Sequence, residues 1–180
     1  LGARIGALGR AMGAHGSKTP RAVLQTDVQL YFKAGHVKKV VENIIGGWFN
    51  DGTPLGLTKE MFRELLHLDD SIDLDAFFAA FDTDGNRKVD AFEVLCAAVI
   101  LADGTLDEKL TAIFNIFDFA GDGKLNFDEA HILLHSFCRG VSKVCSMEPI
   151  ADTDIVEATR QLFDGFNIPY SAQIRREQVL

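Results

Sequence analysis

Two stretches of this chain repeat one pattern, 36 residues apart. The first runs Phe81-Asp82-Thr83-Asp84-Gly85-Asn86-Arg87-Lys88-Val89-Asp90-Ala91-Phe92-Glu93. The second runs Phe117-Asp118-Phe119-Ala120-Gly121-Asp122-Gly123-Lys124-Leu125-Asn126-Phe127-Asp128-Glu129. Each sets an aromatic before an Asp, alternates small oxygen-bearing residues, places an aliphatic eighth from that Asp and closes on a Glu at the twelfth place. Apolar residues at intervals of three and four flank both copies. Leu74, Phe77, Phe78 and Phe81 lead into the first, and Val94, Leu95, Val99 and Ile100 follow it. Leu106, Leu110, Ile113, Phe114 and Phe117 lead into the second, and Ile132, Leu133, Leu134 and Phe137 follow. That spacing predicts helices, so the pattern predicts helix, twelve-residue loop and helix, twice. One copy alone would read as a capped turn with surface acids; a second copy at a fixed interval argues against that reading.

The loop chemistry points to a hard divalent cation. Calcium takes six to eight oxygens at about 2.3–2.6 Å, and a loop of twelve supplies them from places one, three, five, seven, nine and twelve. In the loop beginning at Asp82 these are Asp82, Asp84, Asn86, the backbone carbonyl of Lys88, Asp90 acting through water and a bidentate Glu93. Its flaw is Arg87 at the sixth place, where Gly supplies the positive φ of a sharp turn. A residue with a Cβ costs on the order of 1 kcal/mol there, which weakens the site without abolishing it. The loop beginning at Asp118 has the opposite defect. Gly123 stands correctly at the sixth place, and Asp118, Asp122, the Lys124 carbonyl, Asn126 and Glu129 remain, but Ala120 occupies the third place. A water must fill that place and one negative charge is missing, so weaker or more magnesium-tolerant binding is expected.

Outside this centre the same template fits twice more, without its acids. Phe49-Asn50-Asp51-Gly52-Thr53-Pro54-Leu55-Gly56-Leu57 puts Asn50 first, Leu57 eighth and Met61 twelfth. Phe166-Asn167-Ile168-Pro169 and the residues after it put Asn167 first, Ile174 eighth and Gln178 twelfth. Pro54, Met61, Pro169 and Ala172 supply no ligating side-chain oxygen, so both read as units that kept a shape and lost an ion. First places then fall at 50, 82, 118 and 167. Such units pair through a short strand at the aliphatic place, and four of them satisfy the need for an even number. Thr58 reads as a cap for a helix through Met61, Phe62, Leu65 and Leu66, and Thr105 with Glu108 reads as a capping box. Residues 139–152, with Gly140, Ser142, Ser146 and Pro149, read as a loop, and a last amphipathic helix runs from Asp152 to Phe166.

With 47% hydrophobic residues and 14 Phe, a chain of 180 residues can fill a core without staples. A formal net charge of -8 argues against nucleic acid or anionic membrane as a partner through bulk charge. The longest apolar run, Val94 to Ala102, is about half of what a membrane span needs. Cys96, Cys138 and Cys145 form no CxxC and cannot all pair, which favours a reducing, intracellular compartment; a Cys138–Cys145 bridge is the redox alternative to three plain thiols. His131 and His135, four apart, read as ordinary helix residues more readily than as a metal pair. No phosphate loop, nucleophile elbow or pair of catalytic acids stands outside the ion loops, so a non-enzymatic module is expected. Gly-rich residues 1–24 read as a flexible extension. The opening Leu1 and the ending at Leu180 read as a fragment of a longer protein.

On these residues the chain resembles the EF-hand superfamily, and within it the four-handed calcium sensors of the neuronal calcium sensor and calaxin group. Phe81 to Glu93, Gly104-Thr105-Leu106-Asp107-Glu108-Lys109-Leu110 and Phe114 to Glu129 carry the resemblance, which extends loosely over residues 28–178. It implies an all-α fold of four helix-loop-helix units in two lobes, 25–103 and 104–180, with short β-bridges between loops. It further implies calcium-dependent exposure of a groove for a protein partner, an amphipathic helix, lined by some of the Phe residues. For the calaxin branch it implies attachment to ciliary dynein assemblies, so a cytoplasmic, ciliary or cytoskeletal place. Arg87, Ala120 and the acid-free last unit depart from the group's pattern. The readings kept beside it are a constitutive structural subunit of a large assembly and the calcium-regulatory domain of a larger enzyme.

Overall fold

The stretch behind Glu93 is apolar on every face, so it has to lie inside. In the computed structural model, which describes residues 31–33, 35, 37–39, 41–42, 54–145 and 147–179, it forms a helix that is buried without interruption from Ala91 to Val99. The expected extension at 1–24 and the first place at Asn50 lie outside the described residues.

The elements follow in the order β1 (Gly56–Leu57), α1 (Lys59–Leu65), α2 (Leu74–Phe81), β2 (Val89–Asp90), α3 (Ala91–Leu101), α4 (Leu106–Phe117), β3 (Lys124–Leu125), α5 (Phe127–Val144), α6 (Asp152–Gly165), β4 (Ile174–Arg175) and α7 (Arg176–Val179). The described residues are mostly helical, and the strands among them are short bridges, as expected. Side-chain caps start the helices at Thr58 and Thr105, as expected, and also at Asp73, Asp90 and Asn126. The Met61 N–H donates to Thr58 Oγ1, the Ala76 N–H to Asp73 and the Glu93 N–H to Asp90. Thr105 and Glu108 close a capping box on α4, and Asn126 and Glu129 close another on α5.

Two antiparallel bridges tie the loops at the aliphatic eighth places. Leu57 stands opposite Val89 and Leu125 opposite Ile174. All four side chains are buried, so each bridge also delivers an aliphatic pair to the core. The core is one continuous cluster rather than two. Phe62 lies 5.5–5.7 Å, ring to ring, from Phe77, Phe78 and Phe81. Phe92 and Phe117, 5.0 Å apart, link α3 to α4. Each fully buried Phe contributes roughly 1.5–3 kcal/mol.

One element differs from expectation. The segment read as a loop from residue 139 instead carries α5 on to Val144, and the Cys145 N–H closes that last turn on the Val141 carbonyl. The physical reason is packing. Gly140 lets α5 approach α3 so closely that a Cβ there would stand 2.2 Å from the Glu93 carbonyl oxygen. Gly in this helix is therefore a contact surface and not a breaker. α3 packs chiefly against α5, which also carries α6.

Candidate functional site

In the loop from Asp82 to Glu93 the backbone closes around the first Asp. The Arg87 N–H donates to Asp82 Oδ2 at 3.1 Å, the Asn86 N–H to Asp84 Oδ1 at 3.1 Å and the Lys88 N–H to Asn86 Oδ1 at 2.7 Å. Two turns of positive φ make this possible, at Gly85 (70°) and at Arg87 (64°). Arg87 thus adopts the left-handed turn that the sixth place demands, despite its Cβ. Asp84, Asn86, Lys88 and Asp90 are exposed, Asp82 is half-buried and Glu93 is buried. Asp90 is engaged in capping α3.

The loop from Asp118 to Glu129 repeats this frame with Gly121 at 66° and Gly123 at 76°. The Gly123 N–H donates to Asp118 Oδ2 at 2.8 Å and the Lys124 N–H to Asp122 Oδ1 at 3.0 Å. Ala120 changes the third link. With no acceptor at that place, the Asp122 N–H turns to Asp118 Oδ1 at 3.2 Å, so both oxygens of Asp118 are engaged. The Lys124 ammonium lies 3.3 Å from Asp122 Oδ2. Glu129, buried, accepts the Asn126 N–H at 2.9 Å.

The loops therefore differ in what they hold ready. Among the described residues no three His, Cys, Asp or Glu side chains are gathered into a finished metal cage. The donor set from Asp82 to Glu93 nevertheless fits calcium, being hard oxygens at the required places, and one observation is specific to it. Asp82 Oδ1 is buried and has no hydrogen-bond partner. A buried carboxylate oxygen left bare is costly unless a cation completes it. The Asp118 loop fits less well, because Ala120 supplies no oxygen and each oxygen of its first Asp already accepts a backbone N–H.

Glu93 has a partner that the sequence reading did not supply. Lys143, on the last turn of α5, brings its ammonium to 2.6 Å from Glu93 Oε2. The contact is an ion pair without hydrogen-bond alignment. Only the continuation of α5 past Arg139 places Lys143 there. The signal that would have revealed it is Phe137, Val141 and Val144, which keep helical spacing through the supposed loop.

The remaining constellations have structural roles. His131 Nδ1 lies 3.2 Å from Thr159 Oγ1, whose own proton goes to the Ile155 carbonyl, so His131 donates. His135 Nε2 lies 3.5 Å from Asp152 Oδ1, which also accepts from Arg139 at 2.7 Å. That guanidinium holds the Asp152 carboxyl below its usual range. The two imidazoles turn to different partners and form no metal pair. Cys138 and Cys145 stand seven residues apart on α5 and its cap, about 10 Å along the axis, which is too far for a bridge. Cys96, Cys138 and Cys145 are free thiols. The Phe residues face mostly inward, while Phe119 beside Phe117 is half exposed. Among the described residues no helix is long and apolar enough to cross a membrane.

No family model matches the chain. Curated relatives do. The chain is 30% identical to calaxin of Homo sapiens over 138 residues, which is 74% of this chain and 64% of that protein. It is 32% identical to calaxin of Bos taurus over 119 residues, 63% of this chain and 55% of that one. It is 25% identical to calaxin of Xenopus laevis over 130 residues, 68% and 62% respectively. The match thus spans between half and two thirds of the length of these relatives.

Proposed function

The chain is a relative of the calaxins, EF-hand calcium sensors, and on that footing we propose that it is a non-enzymatic calcium-binding regulatory module. Asp82, Asp84, Asn86, the Lys88 carbonyl, Asp90 and Glu93 form its principal site. Asp118, Asp122, the Lys124 carbonyl, Asn126 and Glu129 form a weaker one that tolerates magnesium. The observation that carries this reading is the bare, buried Asp82 Oδ1 inside a loop whose backbone already wraps the other oxygen of the same carboxylate. Bound calcium would supply a compact double charge drawing the loop oxygens together. The chain's own part is to hold those oxygens in order and to pass their movement to α3 and α5, whose first turns carry Glu93 and Glu129.

The strand bridges at Leu57–Val89 and Leu125–Ile174 support a four-unit arrangement in two lobes, 25–103 and 104–180, the outer units being ion-free partners of the inner ones. The proposed partner is a protein segment, an amphipathic helix, and the resemblance to calaxins favours a cytoplasmic or ciliary setting within a larger assembly. Calorimetric titration with calcium tests the reading. Wild type should bind, with the tighter site lost in Glu93→Gln and the weaker in Glu129→Gln. Absence of binding heat at millimolar calcium would refute it.

The continuous core favours a second reading, a constitutive structural subunit whose shape does not depend on the ion. Circular dichroism and amide spectra that are superimposable with and without calcium would favour that reading over the sensor.

A further inference from the structure

Lys143 grips the last ligand of the principal loop from outside that loop. We propose that Lys143 is an intramolecular competitor for Glu93, so that filling the loop requires the Lys143 ammonium to leave that carboxylate. The proposal rests on the calcium reading of that loop.

Two contacts, one helical turn apart on α5, converge on Glu93. Gly140 lies against its backbone, where a Cβ would meet the carbonyl oxygen at 2.2 Å, and Lys143 holds its carboxylate at 2.6 Å. Both charged side chains are shielded, with 17% of Lys143 and 10% of Glu93 exposed. A pair so placed is screened far less than one on the surface. Comparison with the other loop shows what Lys143 displaces. Glu129 folds back onto the Asn126 N–H and completes a capping box within its own unit. Glu93 receives the cap from Asp90 through its own N–H, but its carboxylate is turned to Lys143.

The twelfth-place carboxylate has to offer both oxygens to a cation. It cannot do so while an ammonium lies against one of them, because two positive centres would then stand within a few ångströms of each other in a shielded setting. Release of Lys143 is therefore linked to ion binding. The helix that carries Lys143 in its last turn carries Glu129 in its first, so α5 joins the last ligand of one loop to the latch on the last ligand of the other.

Calcium titration calorimetry on wild type, Lys143→Met and Lys143→Arg tests this. Lys143→Met should tighten the Asp82–Glu93 site on the order of tenfold, the scale of one charge-assisted contact, while Lys143→Arg stays near wild type. Equal affinity in wild type and Lys143→Met overturns the latch and leaves the calcium reading standing. Binding by Lys143→Met alone upholds the latch and refutes sensing by wild type; no binding by either refutes both. Should Lys143→Met fail to fold, acetylation of wild type read by mass spectrometry decides. Lys143 should be protected without calcium and modified several-fold faster with it, and an unchanged rate overturns the proposal.

Discussion

Ala120 shows how one missing side chain reorganises a loop. At the matching place in the other loop, Asp84 accepts the Asn86 N–H and leaves Asp82 Oδ1 bare; without that acceptor, the Asp122 N–H consumes Asp118 Oδ1. Ala120→Asp should reverse both effects, restoring a ligand and freeing an oxygen of Asp118. We expect calcium affinity at that loop to rise by about tenfold or more, measured in a Glu93→Gln background so that the other site is silent. An unchanged affinity would show that the loop is limited by something other than its third place. Arg87 carries the complementary lesson. Its φ of 64° was legible from loop position alone, because the turn leaves the residue there no other conformation.

At the scale of elements, α5 is where sequence reasoning stopped short. Gly140 and Ser142 read as loop residues by composition, yet Gly140 is needed where two backbones nearly touch. Gly140→Ala would gain up to about 1 kcal/mol of helix propensity and meet the Glu93 carbonyl, whose displacement costs about 1–3 kcal/mol or more. We expect net destabilisation of about 1 kcal/mol, seen as a lower urea midpoint at unchanged slope. A stabilised variant would mean that α5 can slide along α3 freely. Five helix starts, that of α5 included, are written locally. Thr58, Asp73, Asp90, Thr105 and Asn126 each cap with an oxygen three residues before the N–H they accept.

At the scale of the whole molecule the thiols report on packing, with Cys96 inside the continuous core. Cys96 and Cys138 are buried, and burial pushes both thiols up, Cys96 strongly; Cys145 is exposed at the end of α5. With Ellman's reagent near pH 8 we expect one thiol to react at once and two only as the protein unfolds. The stability carried by the two neutral thiols is full below the unfolded value of about 8.5. It is lost as pH rises through the raised folded values, so unfolding should ease in the alkaline range. Three thiols reacting together in the native protein would contradict this packing.

The sequence by itself determined what is local. Loop turns, caps and eighth-place bridges depend on residues within one unit, or on a repeat whose register is visible by counting. That is why the left-handed turn at Arg87 and the bridge positions Val89 and Leu125 were legible in the sequence. Tertiary structure alone decided the partner of Glu93. Lys143 is 50 residues away and carries no mark of its role. The pairing exists because an apolar α3 must be covered, because Gly140 lets α5 cover it at contact distance, and because one further turn of helix brings an ammonium to a carboxylate.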